Sequence, residues 1–238
     1  MKKRQFGVST HLFHAQRLCR AHLLEIAAHG FETVEVFATR SHFDSHNPAV
    51  VADVQQWLAE AGLTLSIIHA PAGPVGSVTP EQNDAALFVA RRIPVPVFVM
   101  HFEGRRDRAR KNLERVAGLA APLGVTVAID VPEHSPPGSA VHIVEEEIEA
   151  RVGIALDCAR ADREGDLIDA NEVVAEHLAA VRVPIESGID WATTLTTVQK
   201  IGYEGPLIFD GPARGSTKET LARARAAREK MERWLTST

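Results

Sequence analysis

The chain reads as an α/β protein of the (β/α)8 TIM barrel class, one single domain over residues 1–238, and three observations point there. Short β-branched runs alternate with amphipathic stretches from one end to the other. Eight such runs can be counted. The length of 238 residues is close to the roughly 250 typical of a closed barrel of this kind.

Taken in order, the first strand is expected over 6–10 (FGVST), and a helical pattern follows in which Cys19, Leu23, Ile26 and Ala27 share a face. Gly30 then stands where a helix C-terminal cap belongs, just before the second strand at 32–37 (ETVEVF). Val50, Val54, Trp57, Leu58 and Ala61 make the apolar stripe of the second helix, which Gly62 closes. The remaining strands fall at 64–69 (TLSIIH), 97–102 (VFVMHF), 125–131 (VTVAIDV), 152–158 (VGIALDC), 179–183 (AAVRV) and 206–210 (PLIFD). A last helix over about 216–234 places Leu221, Ala224, Ala227, Met231 and Trp234 on one side. Eight strands and eight helices in strict alternation favour parallel strands joined by crossover helices. A doubly wound open sheet is the competing architecture, but no G-x-G-x-x-G turn follows the first strand.

Composition narrows the function classes. Hydrophobic residues at 45% and charged residues at 24% are ordinary for a soluble globular chain, and a net charge of −5 offers no field for polyanions. No basic stripe or aromatic stacking surface is visible, so the expected partner is a small-molecule substrate or ligand rather than nucleic acid. Met1-Lys2-Lys3-Arg4 passes straight into a strand-like run, and no apolar segment has the length of a signal peptide or a bilayer span. No membrane partner and a cytoplasmic address are therefore expected. Cys19 and Cys158 form neither a disulfide framework nor a zinc spacing.

Side chains alternate across a strand. Reading back from the strand ends, one face carries Glu35, His69, His101, Asp130, Asp157, Arg182 and Asp210. Seven strands thus each set one ionisable residue at the same level, where a packed barrel wants Val, Ile or Leu. That ring is the candidate functional site; the competing reading is a structural ion-pair network capping the barrel. His11, His14, His22, His42, His46, His142 and His177 read as surface or loop residues. Cys158 next to Asp157 suggests a nucleophile, but alternation turns it toward the helices, where a free thiol behaves as a small hydrophobe.

The segments GVSTHLF, HGFETVEVFATRSHFD and IIHAP between Phe6 and Pro71, with GIALD (153–157), GIDW (188–191) and IGYEGPLIF (201–209), resemble the xylose isomerase-like superfamily. More narrowly they are similar to the sugar phosphate isomerase/epimerase group, whose sequence family includes the AP endonuclease 2 type barrels. The resemblance implies a divalent metal held by a Glu after the fifth strand, an Asp after the sixth, a His after the seventh and a Glu after the eighth. Here those positions hold Asp130, Asp157, Pro184 and Asp210, with Arg182 two residues before Pro184. The family's L-D-x-G-H reads Leu156-Asp157-Cys158-Ala159-Arg160. The connections Val183–Ile189, Ala70–Glu81 and Glu103–Arg108 are short beside those of the family.

These departures change the chemistry. Pro184 has no ligating side chain, and an Asp in place of a Glu withdraws a carboxylate by about a bond length, beyond the ~0.2 Å tolerance of a metal–ligand distance. Arg160 and Arg182 add fixed positive charge beside the aspartates. The expectation is that guanidinium–carboxylate pairing replaces the metal and that no cofactor is held. Mn, Mg or Zn on Asp130, Asp157 and Asp210 is expected only if the family centre survives. Changes this concerted read as a redesigned scaffold or a diverged paralogue.

Three functions compete. One is the family's metal-dependent aldose–ketose isomerisation or epimerisation, with Glu35 or Asp130 as base and His69 and His101 orienting hydroxyls. The second is a metal-independent site, in which Arg160 and Arg182 bind an anionic or carbonyl substrate and a histidine–carboxylate pair moves protons. His101 with Asp130 is one such pair, and His134 with Glu133 is a weaker one. The third is a non-catalytic scaffold or binding protein with a purely structural polar ring.

Overall fold

The structure, a computed structural model, describes residues 4–71, 78–102, 105–130, 137–146, 152–164, 167–211 and 215–237. Strands and helices alternate along the chain: β1 Phe6–Ser9, α1 Arg20–Ala28, β2 Thr33–Phe37, α2 Pro48–Ala61, β3 Thr64–His69, α3 Pro80–Leu87, β4 Val97–His101 and α4 Arg106–Ala120. There follow β5 Thr126–Asp130, α5 Pro137–Glu146, β6 Val152–Asp157, α6 Cys158–Glu164, α7 Leu167–Val173, β7 Leu178–Pro184, α8 Trp191–Lys200, β8 Leu207–Asp210 and α9 Thr217–Ser237. Each strand pairs in parallel with the next, and β1 also pairs with β8, so the eight strands close into a barrel. The expected (β/α)8 class is what the chain adopts.

Local chemistry sets the helix ends. Asn47 accepts from the Ala49 N–H at 3.0 Å with Pro48 in the first turn, and Gly62 takes the left-handed conformation (φ 67°) that stops α2. Thr79 and Gln82 form a capping box at the start of α3. Asp157 accepts from the Arg160 N–H at 3.0 Å and so caps α6. One helix per connection is corrected after β6, where α6 and α7 are two short helices with Gly165 between them in the sequence.

The core has two parts. Leu23, Ile26, Val51, Val54, Leu58, Leu113, Val116, Leu221 and Met231 line the inner faces of the helices and pack against the outward side of the sheet. Cys158 is buried among them, as alternation implies. Trp234 departs from its expected place: it is 37% exposed and borders, with Trp191 and Met231, a groove of about 490 Å³ on the flank between α8 and α9. Cys19 is the N-cap of α1 and not part of its apolar face, which Leu23 and Ile26 make.

Inside the barrel lies a separate apolar layer of Ile67, Val99, Ala128, Ala155, Ala180 and Ile208. Space there is short. A Cβ on Gly7 would come within 2.7 Å of the Thr33 carbonyl, and one on Gly153 within 2.8 Å of the His177 carbonyl. The seam of the barrel is held by long cations. Arg228 of α9 hydrogen-bonds the Gly30 carbonyl and lies 5.3 Å over the Phe31 ring, while Arg4 bonds the carbonyls of Tyr203 and Gly205. Among the described residues no helix is long and apolar enough to cross a membrane.

Candidate active site at the C-terminal strand ends

The apolar layer fixes where the polar ring sits. His69, His101, Asp130, Asp157, Arg182 and Asp210 each stand two residues beyond a member of that layer, so alternation points all six inward at the mouth. Glu35 points the same way from β2, where a register shift at Val34/Glu35 marks a bulge that re-aims the strand. The seven differ in exposure. Glu35, His69, Asp130 and Arg182 are buried, whereas His101, Asp157 and Asp210 are partly exposed.

Arg182 is the hub. Its Nη2 lies 3.1 Å from Asp130 Oδ2, its Nε 3.8 Å from Glu35 Oε2 and its Nη1 3.9 Å from Asp210 Oδ2. Each guanidinium nitrogen thus faces a different carboxylate. Arg160 pairs with the other oxygen of Asp130. Burial alone would lower the Arg182 pKa, but Asp130, Glu35 and Asp210 together raise it above the ordinary value, so the charge is permanent. Burial likewise pushes the Asp130 carboxyl up, and Arg182 and Arg160 overcome it, leaving Asp130 at about 2. For Glu35, burial is outweighed by Arg182 and by the hydrogen bond from His69, so it too is held below the usual range.

Aromatic and imidazole rings line the other half of the mouth. His11 lies 4.9 Å from Phe37, Phe37 meets His69 edge-on at 5.1 Å, and His69 lies 4.9 Å from His101. Ser9 donates to Glu35 Oε1 at 2.9 Å, and His69 Nδ1 lies 3.4 Å from the same oxygen. The His69 Nε2 is buried without a hydrogen-bond partner, an arrangement proteins avoid unless a water or a ligand supplies one. His101 Nδ1 faces Asp130 Oδ2 at 3.6 Å, and burial, with His69 beside it, lowers its pKa to about 4. His101 is therefore a neutral imidazole near pH 7.

Sequence reasoning missed His11. It sits in a 3-10 turn, Thr10–Phe13, just past β1, with Nδ1 3.3 Å from Asp210 Oδ1 and its side chain 39% exposed. That hydrogen bond to Asp210 is the main reason its pKa is raised. His42, read as a surface or loop residue, lies in a loop but is buried, its Nδ1 2.6 Å from the Gln16 carbonyl. Of the remaining expectations, His134 and Glu133 lie outside the described residues. Asp157 points inward but spends one oxygen on the α6 cap, and Arg182 does not reach it. Among the described residues, three potential metal donors gather at one place, where ligand atoms of His69, His101 and Asp130 lie within 4.8 Å of one another. A cavity of about 120 Å³ opens beside Asp210, lined by Pro184, Ile185, Glu186, Gly211, Thr220 and Arg223.

A closed parallel barrel with a charged ring at the C-terminal strand ends defines the class of (β/α)8 proteins that work at that face. The profile of the family described as "Xylose isomerase-like TIM barrel" matches residues 23–238, and the chain belongs to that family. In fold it is similar to a xylose isomerase domain protein from Planctomyces limnophilus, at 15% identity and TM-score 0.77, with 100% of each chain covered. It is also similar to a D-psicose 3-epimerase with D-tagatose from Clostridium cellulolyticum H10, at 15% identity and TM-score 0.79, covering 97% of this chain and 99% of the other. A third is a xylose isomerase-like TIM barrel protein from Mycobacterium smegmatis in complex with magnesium, at 15% identity and TM-score 0.75, covering 92% and 88%. No curated protein matches the sequence. At this identity the likenesses speak for the fold.

Proposed function

We propose that this barrel acts on a small, polar, carbonyl-bearing molecule of the sugar type, moving a proton next to the carbonyl without a resident divalent metal. Membership of the xylose isomerase-like family and the fold shared with sugar epimerases support the substrate class. The observation that carries the metal-independent part is Arg182, whose three nitrogens face Asp130, Glu35 and Asp210. At about 4 Å and an effective dielectric of 20, a dication and a guanidinium repel by about 8 kcal/mol. Asp130 and Asp210, two of the positions the resemblance marks for a metal, therefore do not fit a divalent ion while Arg182 pairs with both.

On this reading the residues divide the work. Glu35 and Asp130 hold Arg182 and the two imidazoles in place. A carboxylate at about 2 is too weak a base to be the principal proton acceptor. With Nδ1–H turned to the ionised Asp130, the neutral His101 offers its Nε2 as an acceptor for a substrate hydroxyl, and the unpartnered Nε2 of His69 meets another. Arg160 and Arg182 supply positive potential for an anionic or carbonyl group. His11, held by Asp210 at the open side of the mouth, passes the proton.

The test is hydrogen exchange. EDTA-treated protein, incubated in D2O with a panel of ketohexoses, aldoses and their phosphates, is expected to put deuterium on the carbon next to the carbonyl of at least one of them, detected by NMR. His101→Ala is expected to remove that exchange. Exchange that vanishes with EDTA and returns with Mn²⁺, or no exchange with any sugar, overturns the proposal.

The alternative is a metal-dependent isomerase or epimerase. It is favoured by one observation, the approach of His69, His101 and Asp130 donor atoms to within 4.8 Å. Imidazole and carboxylate are the right donors for Zn²⁺ or Mn²⁺. Against it, both oxygens of Asp130 already meet guanidinium groups.

A further inference from the structure

We infer that Arg182 is a built-in counter-ion covering a latent divalent-cation site, which a transition metal ion enters once the guanidinium is removed. The inference deepens the metal-free reading but does not depend on the sugar substrate, because its readout is metal binding. Three features carry it.

The first is charge. Glu35, Asp130 and Asp210 bring three negative charges to one point, and Arg182 and Arg160 answer with two positive ones. Taking Arg182 away leaves two negative charges unanswered, which a dication would neutralise. Adding a dication with Arg182 present would instead reverse the sign of the cluster. The second is position. Nε, Nη1 and Nη2 of Arg182 reach three carboxylates from β2, β5 and β8, so the plane of the guanidinium fills the space that those carboxylates share. The residue is buried, and Arg160 already takes the other oxygen of Asp130. The third is the donor set. His69 Nε2 is buried without a hydrogen-bond partner, and His69 and His101 each offer a donor atom within 4.8 Å of one on Asp130, which Arg182 pairs with. Nitrogen donors among carboxylates select Zn²⁺, Mn²⁺ or Co²⁺ over Mg²⁺ and Ca²⁺.

The arrangement also explains why Arg is the residue at this point of β7. Its charge is spread over a plane that meets three carboxylates from different sides, where the ammonium of Lys is a single point charge. A guanidinium cannot release its proton in this setting, so the site is shut at every physiological pH.

The experiment compares the wild type, Arg182→Ala, Arg182→Gln and Arg182→Lys after chelator treatment, titrated with Zn²⁺ and with Mn²⁺ by calorimetry and by thermal melting. The wild type and Arg182→Lys are expected to bind neither ion at this point and to show no rise in Tm. Arg182→Ala is expected to melt at a lower temperature, to recover with one equivalent of metal and to bind at least about a hundredfold more tightly than the wild type. Asp130→Asn added to Arg182→Ala should abolish that gain. One equivalent of tightly bound metal in the wild type overturns the inference. So do Ala and Gln variants that fold but gain nothing from metal, or that remain unfolded at every metal concentration, because a cation would then be unable to take the guanidinium's place. A sugar panel that fails while Arg182→Ala gains metal sinks the proposed substrate class and leaves the latent site standing.

Discussion

Asp157 and Arg182 are direct partners in the register of β6 and β7, yet the guanidinium goes to Glu35, Asp130 and Asp210, and the Asp157 carboxylate caps α6. Two inward aspartates on the neighbouring strands β5 and β6 thus have different jobs. Asp157→Ala is expected to cost about 1 kcal/mol, the value of a lost cap. Asp130→Ala is expected to cost about 3–5 kcal/mol, because it strips a partner from two buried or half-buried guanidiniums. Urea denaturation of both variants checks this. Equal losses would show that Asp157 belongs to the Arg182 network after all.

Stability should fall as the medium is acidified from near pH 6.5 toward 4, and His101 is a main cause. Its pKa is lowered to about 4 in the folded chain, chiefly by burial, against an ordinary 6.5. The unfolded chain therefore binds more protons across that window, so the stabilisation is complete above pH 6.5 and lost as pH drops through 4. The size is on the order of 2–3 kcal/mol. Asp130, held at about 2 against an ordinary 3.8, contributes in the same direction but at lower pH. His101→Gln should flatten the profile between pH 6.5 and 4 and leave the more acidic limb in place. An unchanged slope would assign the effect to other groups.

Gly7→Ala tests how tightly the lower barrel is filled. The added methyl would meet the Thr33 carbonyl and the Thr33 and Ile208 side chains at 2.7 Å, and a carbonyl of the neighbouring strand cannot move aside cheaply. A loss of about 1–3 kcal/mol, typical of overpacking, is expected in thermal or chemical denaturation. The same substitution at Gly118, where nothing lies within 4 Å of a built Cβ, should be neutral or slightly stabilising in α4.

The two thiols should separate cleanly. Cys158 is buried, and burial together with Asp157 and Asp162 pushes its pKa well above the ordinary thiol range. Cys19 is partly exposed. One thiol is expected to react with an aromatic disulfide reagent in native protein and two in denaturant, with mass spectrometry placing the fast one at Cys19. Rapid labelling of Cys158 would mean that α6 opens readily.

Most of the fold was legible because strand period and helix period differ, and the eight strands fall within a residue or two of where β-branched runs put them. The inward ring was legible for the same reason: one alternation rule applies to every strand. His11 escaped that rule because it lies in a 3-10 turn beyond β1, where period 2 carries no information. The absence of an ionisable residue at the end of β1, with a His two positions on, was the available signal. Trp234 shares a helical face with Met231 by spacing, but spacing says nothing of what stands opposite, and opposite it is a groove. The depth of Glu35 was invisible because the bulge that sets it depends on the pairing of β2 with β3.

Ile67, Val99, Ala128, Ala155, Ala180 and Ile208 form an apolar layer beneath the charged ring. The charged ring therefore rests on an apolar floor, and Arg182 is approached from the C-terminal side of the strands. On the proposed reading, a product leaves by the face through which its substrate entered, so product should compete with substrate for free protein.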